Sequence, residues 1–102
     1  MPDFERRKPI LMAYCRIDEF GPGEDQLLED IYHDAVSYMA DAGVAEPPEG
    51  TPRRAKYDGC VNALVLDAWD NRGTQFTGYN VVENPAWQRK KNQLKMTEPV
   101  SN

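Results

Sequence analysis

The sequence predicts a small all-α bundle of about four helices: a short first helix, two long core helices, and a peripheral C-terminal helix preceded by an extended loop. Three observations predict it. Apolar residues between Leu27 and Ala42 recur at three- and four-residue steps. Two cap-then-proline pairs, Thr51-Pro52 and Asn84-Pro85, each stand at the head of a helical run. Cys60 to Trp69 is apolar on most sides, broken only by Asn62 and Asp67, as suits a helix central to its bundle.

Taken in order, Met1 to Lys8 is polar and expected to be flexible. Pro9 is suited to a first helical position, so the apolar run Ile10 to Cys15 predicts one or two helical turns ending near Arg16. Phe20-Gly21-Pro22-Gly23 breaks the chain. A helix from Glu24 to Ala42 follows. Its apolar arc is Leu27, Leu28, Ile31, Ala35, Tyr38, Met39 and Ala42. Glu24 and Asp25 suit the positive end of the helix dipole, and Gly43 suits a left-handed cap. Val44 to Gly50 is a proline-rich linker. The third helix starts at Thr51-Pro52 and is ended by Asn71, Arg72 and Gly73. Thr74 to Glu83, with Phe76, Thr77, Tyr79, Val81 and Val82, favours extended structure. The last helix, Ala86 to Met96, has Trp87 and Leu94 as its strong apolar anchors, and 97–102 is expected to be flexible.

A chain of 102 residues is one domain able to bury a modest core, roughly 65% of the surface its unfolded form exposes. Its mean hydropathy of -0.73 is low for a self-contained monomer, so part of its stability is expected from partners. The net charge of -5 argues against nonspecific nucleic-acid binding. No apolar run approaches the ~18 residues of a membrane span, and Ile10 to Cys15 is too short for a signal-peptide core. The expected setting is intracellular, which favours free thiols at Cys15 and Cys60 over a disulfide.

Charge is distributed unevenly. Between Arg16 and Arg53 stand ten carboxylates and no Lys or Arg, while the rest of the chain has twelve Lys and Arg against seven Asp and Glu. Asp30, Asp34 and Asp41, with Ser37 among them, line one flank of the predicted apolar arc. The like charges at Asp30 and Asp34 cost a few tenths of a kcal/mol in an isolated helix. A solvated face explains such a stripe, and so does a basic surface on another copy. The basic candidate is Arg89-Lys90-Lys91 with Lys95, on a last helix anchored by Trp87 and Leu94.

Catalytic and cofactor signatures are lacking in the sequence: no phosphate loop, H-E-x-x-H or zinc spacing occurs, and no cofactor is expected. The single histidine, His33, projects off the apolar arc and reads as a solvated or interface histidine rather than a catalytic one. Glu24, Asp25, Glu29, Asp30 and Asp34 lie on a helix, without the alternating ligands and central glycine of a calcium loop. Asp67 and Asp70 share a helix face and would suit a carboxylate hydrolase, but a salt-bridged or solvated pair is the plainer reading. No enzyme activity is expected.

Three stretches resemble one family. Arg16-Ile17-Asp18 followed by Glu24-Asp25-Gln26-Leu27-Leu28, Ala63 to Arg72 (A-L-V-L-D-A-W-D-N-R), and Asn84 to Lys95 (N-P-A-W-Q-R-K-K-N-Q-L-K) are similar in order and spacing to the small head–tail connector (adaptor or head-completion) proteins of tailed phages and prophages. The likeness covers residues 10–96. Trp69-Asp70 departs from the family's aromatic pair before N-R.

The resemblance implies an all-helical structural protein without catalysis. It would assemble in the host cytoplasm and end at the head–tail junction of the virion. Its partners would be its own copies in a ring, commonly dodecameric, the portal protein, and a downstream head- or tail-completion protein, with DNA only as passing cargo and no membrane. Asp30, Asp34 and Asp41 would be counter-charges for an interface formed by Trp87, Arg89, Lys90, Lys91 and Leu94. Phe76, Tyr79 and Val81 would supply an intersubunit or portal loop. The alternative is a small regulatory binding protein, antitoxin-like or helix-turn-helix. That reading needs a basic recognition helix, whereas the central helix is too apolar and the acidic one has the wrong sign.

Overall fold

The computed structural model describes residues 2–72 and 79–97. Helices α1 (Pro2–Tyr14), α2 (Glu24–Asp41), α3 (Pro52–Asp70) and α4 (Pro85–Met96) form an all-α bundle, with a short 3-10 turn at Val81–Glu83 and no strand among the described residues. Helix α3 is central: α1, α2, α4 and the 3-10 turn all pack on it. It buries Tyr57, Cys60, Val61, Leu64, Val65 and Trp69, which is why its sequence is apolar on most sides.

The helix ends follow the local chemistry. The Thr51 hydroxyl accepts from the Arg54 amide at 3.2 Å, and the Asn84 side chain accepts from the Ala86 amide at 2.8 Å, each with proline in the first turn. Gly43, at φ 89°, closes α2: its amide donates to Ala40 O at 3.0 Å, and the Val44 amide donates to Met39 O at 2.9 Å. Val44 is then buried as the hydrophobic lock of this Schellman closure. The end of α1 has the same geometry, with Arg16 at φ 58° in place of glycine, Arg16 N–Ala13 O at 3.2 Å and Ile17 N–Met12 O at 2.8 Å.

Helices α1 and α2 differ from the sequence expectation. Helix α1 does not start at Pro9 but runs through it from Pro2. An interior proline costs ~3 kcal/mol or more. Pro9 is exposed, so the backbone carbonyl it leaves unpaired stays near water, and the cost is offset by burying Phe4, Arg7, Leu11 and Cys15 on the opposite side. The Phe4 ring lies 5.9 Å from Tyr32 of α2. That contact explains the second difference. The buried line of α2 is Leu28, Tyr32, Ala35 and Met39, while Leu27 is 37% exposed. The arc has turned toward Tyr32, and the turn moves Asp30, Asp34 and Asp41 from a flank to the outward face.

Two buried arginines join the elements. Arg7 of α1 donates to Asn62 Oδ1 and lies 3.7 Å from Asp58 Oδ2. Arg54 Nε donates to Asp58 Oδ1 at 2.8 Å, while its Nη1 donates to Pro47 O at 3.2 Å and lies 3.7 Å from Glu46. Asp58 is thus the shared counter-ion of two guanidiniums that are 4% and 5% exposed. Replacing Asp58 with Ala is expected to lower unfolding free energy by about 3–5 kcal/mol, because it strands buried charge. The exposed control Glu19→Ala should stay within about 0.5 kcal/mol. Urea titration followed by circular dichroism reads both; a loss at Asp58→Ala no larger than the control's would show that the network is not structural.

Candidate functional site

On α2, Asp30, Asp34 and Asp41 are all exposed. Asp30 accepts from Gln26 Nε2 at 3.0 Å, and none of the three is in an ion pair among the described residues. Ser37 and Leu27 complete the outward stripe. Other carboxylates of the acidic segment have partners: Glu24 meets Arg72 at 3.3 Å, Glu46 meets Arg54, and Glu49 meets Arg6. His33 faces Glu29 at 3.6 Å and packs edge-on to Tyr32.

The anchors of α4 point inward. Trp87 and Leu94 are 6% and 1% exposed, and Trp87 Nε1 donates to Cys60 O at 3.2 Å. The structure therefore places both in the subunit's own core and not on an exposed surface. What α4 presents outward is charge: Arg89, Lys90 and Lys95 are exposed and Lys91 half-buried, none of them in an ion pair among the described residues. The Lys95 stem crosses Gly43, where a Cβ would lie 3.2 Å from its Cε. That brings its charge to the negative end of α2.

The segment before α4 is not extended where it is described. Val81–Glu83 forms a 3-10 turn because the Asp67 carboxylate accepts from the Val81 amide at 2.9 Å. Asp67 also accepts from Asn71 Nδ2 at 3.2 Å. It is a structural cap for this turn, and Asp70 is left exposed. Tyr79 stacks edge-on to Tyr38 at 5.1 Å. Its hydroxyl is pushed up to about 12 by burial and by the negative charges of Asp34 and Asp67. Val81 is half-buried against the core. Phe76 lies outside the described residues.

No three His, Cys, Asp or Glu side chains come together in a metal-holding group among the described residues. None of their helices is long and apolar enough to cross a membrane. Cys15 and Cys60 are free, buried thiols. Burial, with Asp70's charge adding to it, pushes Cys15 up to about 11, and burial raises Cys60 against the opposing charge of nearby Lys90.

The sequence reading missed Arg7, Arg54 and Tyr32. Signals for them exist: Phe4, Arg7, Leu11 and Cys15 keep helical spacing across Pro9, and Arg54 and Asp58 stand four apart on a predicted helix. Comparison with known proteins returns no matching family model, no matching curated protein and no matching solved structure.

The thiols give a pH prediction. Cys15, Cys60, Tyr57 and Tyr79 all hold their protons more tightly folded than in their ordinary state. The folded form therefore binds more protons than the unfolded form at high pH. Their contribution is complete below pH 9.0 and falls as pH rises toward about 11 for Cys15. Urea midpoints should decline across that window, and a thiol reagent at pH 8 should label neither cysteine until urea is added. Rapid labelling of the native protein would contradict the burial.

Proposed function

We propose that this protein is a structural connector that assembles with copies of itself into a ring at the head–tail junction of a tailed phage or prophage. In that ring it docks on the portal protein and receives a completion protein. The observation that carries the reading is outward charge of both signs without ion-pair partners among the described residues: the Asp30, Asp34 and Asp41 stripe of α2 and the exposed Arg89, Lys90 and Lys95 of α4. Two cations of the subunit are engaged elsewhere, since Arg54 and Arg72 reach Glu46 and Glu24. A second copy offers the missing charge. The three sequence stretches similar to connector proteins support the same reading, falling on the end of α1 and start of α2, the second half of α3, and α4. Each subunit would contribute two different faces, the heterologous contact that closes into a ring.

Light-scattering mass at rising protein concentration tests this, at low and moderate salt and with added portal protein. Assembly above monomer mass is expected, weakening with salt because exposed charges are screened beyond about 8–10 Å at physiological ionic strength. Asp34→Lys alone or Lys90→Glu alone should weaken it, and mixing the two variants should restore it. A monomer under every condition, portal included, would defeat the proposal. Charge reversal is the cleaner probe, because deleting α4 would also remove Trp87 and Leu94 from the core.

A further inference from the structure

The seam between α3 and α4 is pinned at two levels. At one end Arg53 Nη2 donates to Leu94 O at 2.8 Å, and its Nη1 donates to the Thr97 hydroxyl. Two turns on, Trp87 Nε1 donates to Cys60 O at 3.2 Å, and the charge of Lys90 acts on the thiol of the same residue. The two helices therefore run antiparallel. At about 100° per residue, the sides that flank this seam away from the core carry Lys56 and Ala63 on α3, and Ala86, Lys90 and Gln93 on α4. Ala63 is half-buried and the other four are exposed.

The result is a groove of one sign. One end opens into a cleft of about 360 Å³ lined by Pro52, Arg53, Lys56, Gln93, Leu94 and Thr97, with no carboxylate among the described residues around it. Arg89, exposed one residue before Lys90, adds a further cation on the α4 side. Lys56 and Lys90 are in no ion pair among the described residues. Carboxylates come on this side of α3 only at its far end, where Asp67 accepts from the Val81 amide and Asp70 is exposed.

We propose that the α3–α4 groove receives α2 of a second copy, laid antiparallel to α3. The inference rests on the assembly reading above and gives it a surface and a direction. Asp30, Asp34 and Asp41 project from one side of α2, with about 6 Å of rise between the first two and about 10 Å between the last two. Lys56 and the level of Lys90 are likewise about 6 Å apart along α3. With Asp34 set between Lys56 and Lys90, Asp30 falls one turn on, toward Lys90 and Arg89. Asp41 falls the other way, toward Arg53 and the positive end of the α3 dipole. Leu27, 37% exposed, then reaches Ala63 and Ala86 and adds apolar contact to ion pairs that are weak by themselves. The reverse direction would carry Asp41 over Asp67 and Asp70, where like charges oppose it. Each acidic group thus meets cations along a single line, as for a helix seated in a groove.

The test uses the full chain with Lys56→Glu. Lys56 is exposed, and glutamate is a comparable helix former suited to the first turns of a helix, so the urea midpoint is expected to be unchanged or raised. Self-association, read by sedimentation equilibrium at low salt, is expected to weaken by about tenfold or more, and an equal mixture with Asp34→Lys copies to recover it. Direction is read by mild oxidation of mixed copies that each carry one added cysteine, the native thiols being buried. Leu27→Cys should link to Ala86→Cys and not to Thr97→Cys. If Lys56→Glu associates like the unaltered protein, or if Leu27→Cys links to Thr97→Cys instead, the groove assignment fails while the connector reading stands. If the unaltered protein stays at monomer mass under every condition, portal protein included, both fail.

Discussion

The fold depends on one carboxylate serving two buried cations. Asp58 faces Arg54 on its own helix and Arg7 on α1, and Arg54 in turn binds the carbonyl of Pro47 in the linker. Three separated parts of the chain thus meet around one group. The network is not fully satisfied, since Arg7 Nε, Arg54 Nη2 and Tyr57 Oη have no hydrogen-bond partner among the described residues. Such a cluster adds little net stability over an apolar equivalent. What it does is fix the position of α1. With Arg7 committed to Asp58 and Asn62, Phe4 is held over Tyr32, and α2 is rotated to bury that ring. The outward placement of Asp30, Asp34 and Asp41 follows from that rotation.

The same network determines which charges are left over. Arg7 and Arg54 lie in the interior, where they engage Asp58 and Glu46. Arg72 is stacked 4.1 Å over the Trp69 ring and paired with Glu24. These cations are therefore not offered to the stripe. The basic residues of α4 lie across α3 from α1, held there because Trp87 and Leu94 pull the opposite side of that helix into the core. Acid and base are separated by the packing of apolar anchors, not by the order of charges along the chain alone.

Features set by the backbone within a few residues were legible in the sequence. Thr51-Pro52, Asn84-Pro85 and Gly43 mark their helix ends because a cap is a local hydrogen bond or a local φ requirement. The end of α1 was placed nearly correctly, although Arg16 gives no hint that it adopts φ 58°. What stayed hidden depends on partners distant in sequence. Pro9 signals a helix start by propensity, and only Phe4 meeting Tyr32, with Arg7 meeting Asp58, overrides it. The valines at 81 and 82 favour strand, yet Asp67, fourteen residues before Val81, turns them into a 3-10 segment. Of the candidate site, the exposure of the acidic stripe was readable. The inward direction of Trp87 and Leu94 was not, because an anchor residue reads the same whether its pocket lies in its own subunit or in another.

That ambiguity at Trp87 bears on the kind of assembly available. Had Trp87 and Leu94 been exposed, two copies could have buried them against each other in a two-fold dimer. With both inside, the large exposed apolar residues among the described residues are Ile10, Tyr14, Leu27 and Met96. Pairing α2 with α2 would set Asp30, Asp34 and Asp41 against themselves, and pairing α4 with α4 would oppose Arg89, Lys90 and Lys95. Like charges across a two-fold axis repel, and excluding water strengthens the repulsion. In the proposed assembly the acidic stripe of one copy would instead meet the exposed basic residues of α4 on the next. Each copy would then keep one face of each sign free, as the proposed heterologous contact requires. The apolar residues that the core has already consumed thus favour a heterologous over a two-fold contact in the proposed assembly.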